Sequence, residues 1–74
     1  METIRRTYVV DRREINYIRV TLESYDGMAV VRTVDPEEAV IEIQISPGCE
    51  GLVLDLLNAL SSHENIKIRE QLTQ

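Results

Sequence analysis

The run Ile41-Glu42-Ile43-Gln44-Ile45 alternates strictly between isoleucine and a polar residue, the two-residue period of a strand with one buried and one wet face. It predicts a strand over residues 39–45. Thr3 to Val10 is rich in β-branched and aromatic residues, with Ile4, Tyr8 and Val10 on one parity, and predicts a first strand over 3–10. Arg6 falls on that same apolar parity and breaks the pattern near the strand's start. Met28 to Val34 predicts a strand over 28–34, closed by Asp35-Pro36-Glu37-Glu38, a turn with proline at its second position. Ile66 and Ile68 alternate with Lys67 and Arg69 in a last short strand over 66–70, and Gln71 to Gln74 reads as a frayed end.

Two segments change period. Asp11 followed by Glu14 has the D-x-x-E spacing of a capping box, in which Asp11 accepts from first-turn amides and Glu14 reaches back. Ile15, Ile18, Leu22 and Tyr25 then recur three, four and three apart on one face, Arg19 and Glu23 pair outside, and Asp26-Gly27 supplies the stop. This predicts a helix over 12–25. Ser46-Pro47 reads as the N-cap and first residue of a second helix over 47–61, with Cys49, Val53, Leu56, Leu57 and Leu60 at helical spacing.

The order strand, helix, strand, strand, helix, strand predicts one α+β domain over residues 1–74. It is a ferredoxin-like βαββαβ sandwich, with a four-stranded antiparallel sheet ordered 4-1-3-2 and both helices on one face. The other face is left open. The segment Asp11 to Arg13, the Asp35 to Glu38 turn and His63 then share one end, with Gly27 and the Ser46 to Cys49 turn at the other.

Composition adds a partner expectation. A chain of 74 residues buries only about 60% of its unfolded surface, which favours a homodimer. Val9 and Val40 point away from the helices in this topology and form the expected seam, so Val40→Glu is expected to shift a dimer toward monomer. The net charge of -5 argues against a nucleic-acid partner, which would need a basic stripe. Charge is unevenly placed, however, because six of the eight basic residues fall in residues 1–34, leaving room for a local basic patch. A single cysteine, Cys49, excludes an intramolecular disulfide and a CxxC metal loop, and with one histidine, His63, no zinc spacing exists. No metal or cofactor is expected. Without a leader at Met1 or an apolar run of ~20 residues, the chain reads as cytoplasmic with no membrane partner.

The run Tyr17-Ile18-Arg19 leading to Leu22-Glu23-Ser24-Tyr25-Asp26-Gly27, with Ser46-Pro47-Gly48-Cys49-Glu50, resembles a family of very short bacterial proteins of unknown function. That resemblance spans nearly the whole chain and implies a length, a fold and a bacterial setting, but no catalytic residue. The element order is also similar to that of ACT domains, which usually dimerise and often bind amino acids.

Two groups are ligand-binding candidates, each with a plainer reading. Gly48 and Cys49 lie at a helix N-terminus, where free amides and the macrodipole favour an anion or a thiolate. Cys49 equally suits a small apolar role in the first turn, with Glu50 answering the dipole. A nucleophile needs a base, none lies nearby in sequence, and His63 falls at the other end. Arg12 and Arg13 follow the first strand, where acylphosphatases of this fold hold phosphate with an arginine. Val9-Val10-Asp11-Arg12-Arg13 lacks the glycines of that cradle, however, and the arginines equally suit a surface turn balanced by Glu37 and Glu38. A carboxylate ligand at a dimer seam is the remaining use for them. The central strands offer Arg5, Thr7, Val9, Val40, Glu42 and Gln44 to the open face, with no aromatic platform for RNA bases.

These readings point to a non-enzymatic regulatory or interaction module, binding a small anionic metabolite or a protein partner, with no catalytic residue assigned. The alternative is a small hydrolase of acylphosphatase type or a thiol-dependent enzyme.

Overall fold

The isoleucine alternation makes the strand it predicts. In a computed structural model, which describes residues 3–25 and 27–71, β3 (Val40–Ile45) buries Ile41, Ile43 and Ile45 completely and turns Glu42 and Gln44 to the other face. It lies between β2 (Ala29–Asp35) and β1 (Ile4–Val10), and β1 in turn carries β4 (Ile68–Glu70) on its far side. Every pairing is antiparallel, giving the order β2-β3-β1-β4, the expected 4-1-3-2 read from the other edge. Helices α1 (Ile15–Glu23) and α2 (Glu50–His63) complete the ferredoxin-like α+β arrangement. Ile18 and Leu22 of α1 and Val53, Leu57 and Leu60 of α2 close the core over the sheet. Full burial of each such side chain contributes about 1.5–3 kcal/mol. The shortest extent, 18 Å, accommodates two layers and leaves the second sheet face uncovered.

The helix boundaries depart from expectation for local reasons. A 3₁₀ turn, Arg12–Glu14, precedes α1, and only half of the capping box forms. Asp11 Oδ1 accepts from the Arg13 amide at 3.1 Å, but the Asp11 amide donates to the Lys67 carbonyl at 3.1 Å and is taken before Glu14 could use it. The helix ends at Glu23, so Tyr25 leaves the expected buried face and is 51% exposed. Gly27 takes the left-handed conformation expected of it (φ 71°). Gln71, expected in the frayed end, is instead tied to β1, its amide donating to the Thr7 carbonyl at 2.8 Å, while Asp26 and the rest of that end, 72–74, lie outside the described residues.

At the second helix, Ser46-Pro47 is not the helix start. The Cys49 amide donates to the Ser46 carbonyl at 3.0 Å, closing a β-turn with proline second and Gly48 third at φ 86°. Cys49 becomes the N-cap and α2 begins at Glu50. It continues to His63, two residues beyond the expected end, after which the Glu64 and Ile66 amides both return to the Leu60 carbonyl at 3.2 Å around left-handed Asn65. The last strand is shorter than expected, three residues rather than five.

The shared ends follow as expected. Val10 and Asp11 donate to Ala39 and Lys67 at one end, and Ser46 Oγ donates to the Gly27 carbonyl at the other. Val9 and Val40 face each other in register, but Val40 is only 8% exposed. The apolar patch on the open face is therefore narrower than the sequence suggested, and a charge at Val40 would be buried within its own subunit.

Candidate functional site

Arg6 stands on the helix side of β1 between Ile4 and Tyr8, opposite Ile43, where the alternation demands an apolar residue. Its charge is answered there. Arg6 Nε donates to Glu50 Oε2 at 2.8 Å, Nη2 donates to the same oxygen, and Nη1 donates to Glu70 Oε2 at 2.6 Å. Glu50 comes from the first turn of α2 and Glu70 from the end of β4, so one guanidinium ties three elements together. The hydrogen bonds to Glu50, and next to Glu70, hold the Arg6 pKa above its ordinary value.

Tyr8, the next inward residue, is opposite Glu70 in register and 5% exposed. Its hydroxyl is buried without a hydrogen-bond partner. Burial, and then the Glu70 charge, raise the phenol's pKa, with nearby Arg6 offsetting part of the effect. Alongside lies an open surface hollow of about 230 Å³ between α2 and β4, lined by Tyr8, Leu54, Leu57, Asn58, Ser61, Ile68 and Glu70.

The residues singled out from sequence do not meet. Arg12 and Arg13 lie in the 3₁₀ turn and are both exposed, and the acid paired with Arg13 is Asp11, at 3.9 Å. Among the described residues Glu37 and Glu38 form no ion pair with either arginine; their amides instead donate to Asp35 Oδ1 at 3.0 and 3.2 Å. Gly48 and Cys49 are at the opposite end. Cys49 is half-buried against the core, as its helical spacing suggested, and its neighbour Glu50 is committed to Arg6. His63 is the last residue of α2, roughly 20 Å along the helix at 1.5 Å per residue. No group of three or more His, Cys, Asp or Glu suited to a metal ion occurs among the described residues, and no helix there is long and apolar enough to cross a membrane.

The open sheet face has a different character. Arg5, Arg32 and Arg69 stand exposed on it, with Val9 half-buried between β3 and β4 and Val30 and Val34 about half exposed on β2. Its acids among the described strand residues are Glu42, which lies 3.6 Å from Arg32 Nη2 and accepts from Gln44 Nε2 at 3.1 Å, and Asp35, which a bulge in β2 brings opposite Val40 at the end of the strand. The helix layer shows apolar side chains as well, in a groove of about 260 Å³ lined by Tyr25, Met28, Leu52, Asp55 and Leu56. Tyr17 bridges this layer by donating to Glu64 at 2.8 Å, a bond that raises its phenol pKa.

Arg6 and Tyr8 were the residues that reading by sequence did not single out as a site. The available signal was an arginine on an apolar parity; its partners, 44 and 64 residues away, gave none.

The sequence pattern of a family described as Domain of unknown function (DUF4911) matches residues 8–63, from Tyr8 in β1 to the last residue of α2. Arg6 and Glu70 fall outside the matched span. No curated protein and no solved structure matches the chain.

Proposed function

The chain belongs to the DUF4911 family, and for it we propose a non-enzymatic role as an interaction module that binds an acidic, partly apolar protein segment on the open face of its sheet. The observation that carries this reading is charge segregation. The chain has 13 acidic and 8 basic residues, yet the described strands present Arg5, Arg32 and Arg69 on the open face against Glu42 and, at the far end of β2, Asp35. Exposed Val30 and Val34 supply apolar contact between those charges. Tyr8, the aromatic residue of the described strands, faces the core, so the open face has no aromatic side chain among them, which favours a peptide over stacked bases.

A small hydrolase or thiol enzyme is less well supported, because Arg12 and Arg13 are separated from Cys49 by the length of the sheet and Arg6 is neutralised internally. A small anionic metabolite at Gly48 or Cys49 has only the helix start to recommend it. A second copy remains the competing occupant of the open face. Face-to-face pairing would oppose arginines to arginines, which costs affinity unless an offset brings in Glu42.

The test is fluorescence anisotropy with a labelled peptide of alternating glutamate and leucine. Saturable binding that weakens with salt and is lost in Arg32→Glu is the expected result. An absence of binding, or binding indifferent to Arg32→Glu, overturns the reading. Light scattering decides the competitor: a dimer dispersed by Val30→Glu assigns the face to a second copy instead.

A further inference from the structure

Resting on the reading above, we infer that the acidic segment docks as a fifth strand along the outer edge of β2, where its backbone takes over the Val31 amide from Glu23. The open face then supplies one side of the contact and α1 the other.

β2 is the outermost strand of the order β2-β3-β1-β4, so one side of its backbone faces away from the sheet. Val31 and Thr33 share a parity, opposite Ile43 and Ile41, and the Val31 amide points off the sheet to donate to Glu23 Oε2 at 2.8 Å. By the same two-residue period the Thr33 amide points outward too, and it has no acceptor among the described contacts. The guard at Val31 is a single exposed side chain, which returns to water when a backbone carbonyl replaces it. Room exists beside it. An open hollow of about 400 Å³, with Glu23, Tyr25, Ala29 and Val30 in its lining, lies against the start of the strand.

Charge selects the occupant. Arg19 and Glu23 stand one turn apart on α1 but form no ion pair with each other among the described residues, since each reaches to β2 instead. Arg19 is thinly held there: Nη2 donates to the Thr33 hydroxyl at 3.4 Å, Nε has no partner, and no acid among the described residues pairs with it. Arg32, the residue before Thr33, is exposed on the open face with Glu42 3.6 Å away. Two cations therefore flank consecutive positions of the edge, one on each side of the sheet. Consecutive side chains of an added strand also point to opposite sides, so two acids in a row meet Arg32 and Arg19 respectively. Apolar residues two positions to either side of the first acid meet Val30 and Val34, which are 56% and 50% exposed. A second copy pairing through this edge would bring Arg19 and Arg32 of both subunits together, and like charges across a seam are destabilising.

The probe is the peptide acetyl-Val-Thr-Glu-Glu-Val-Thr-Val-amide, titrated into the isotope-labelled protein and followed by NMR and amide hydrogen exchange. Saturable binding is expected to slow exchange about tenfold at Val31 and Thr33 while leaving Val30 and Arg32, whose amides face β3, as they were. Arg19→Gln is expected to weaken binding about threefold with the rest of the spectrum intact. Binding that is lost in Arg32→Glu yet leaves exchange at Thr33 unchanged overturns the added strand, while the open-face reading stands. Affinity indifferent to Arg19→Gln overturns it as well. So does a lack of saturable binding by this peptide, whereas the open face keeps its own test in the peptide of alternating glutamate and leucine. A native chain that dimerises without peptide, with Val31 and Thr33 protected, gives the edge to a second copy and overturns it too.

Discussion

The two edges of the sheet are protected in different ways. At β2 the defence comes from α1: Glu23 accepts from the outward-pointing Val31 amide at 2.8 Å, and Arg19 reaches the Thr33 hydroxyl at 3.4 Å. A helix side chain thus occupies the middle of an edge that would otherwise template another strand. At β4 no comparable cap operates among the described residues, and the protection there is brevity, three residues with Arg69 and Glu70 among them. The consequence is spatial. The β2 edge is closed by the helix beside it, whereas among the described residues an open hollow lies between α2 and the short β4. An ion-pair latch through Arg6 holds β4 where apolar packing is thin.

Breaking the latch should have the largest effect. Arg6→Met removes charge-assisted bonds to two carboxylates and should cost about 1–2 kcal/mol, discounted because all three side chains are about a third exposed. Hydrogen exchange should rise first at the Asp11 and Gln71 amides, which hold β4 to β1, while the β2–β3 ladder stays protected. A uniform rise along the sheet would mean that Arg6 does not hold one edge in particular.

At the guarded edge, Glu23→Ala should cost about 1 kcal/mol through loss of the bond to Val31. It should also make sedimentation concentration-dependent as the edge becomes available for pairing. Glu23→Gln retains an acceptor and should rescue most of both effects.

Tyr8→Phe should move stability the other way, raising it by about 0.5–1 kcal/mol, because it removes a buried hydroxyl with no partner. A loss on thermal melting would show that the hydroxyl is already satisfied. The smallest change belongs to the open face. Arg32→Gln should alter stability by less than about 0.5 kcal/mol, since its pair with Glu42 is 3.6 Å long and the arginine side chain is 65% exposed. That near-neutrality makes the arginine suitable for testing partner binding without disturbing the fold.

The parts of the molecule governed by local period were legible in the sequence. Ile41, Ile43 and Ile45 specify both a strand and its buried face, and all three are fully buried. The start of α2 was misread because Ser-Pro serves equally as cap and first helical residue or as the opening of a turn; Gly48 at a positive φ decides for the turn, and Pro-Gly was the available clue. Capping at Asp11 was half right, as its backbone amide answers to Lys67, distant in sequence. The Arg6 cluster was illegible for the same reason. Parity marks Arg6 as anomalous, but only the finished topology brings Glu50 and Glu70 to it.

The central place of β1 also sets an order of events in folding. Although β1 comes first along the chain, Val9 must wait for Val40, and Tyr8 for Glu70, whereas β2 and β3 join through a local hairpin. A chain growing from its first residue therefore carries β1 with both sides unpaired until the hairpin arrives. Docking of β4 against β1 seats Arg6 between its carboxylates and places Glu70 opposite Tyr8. Burial of Tyr8 thus reports the docking of β4, separately from the closure of the isoleucine core over β3.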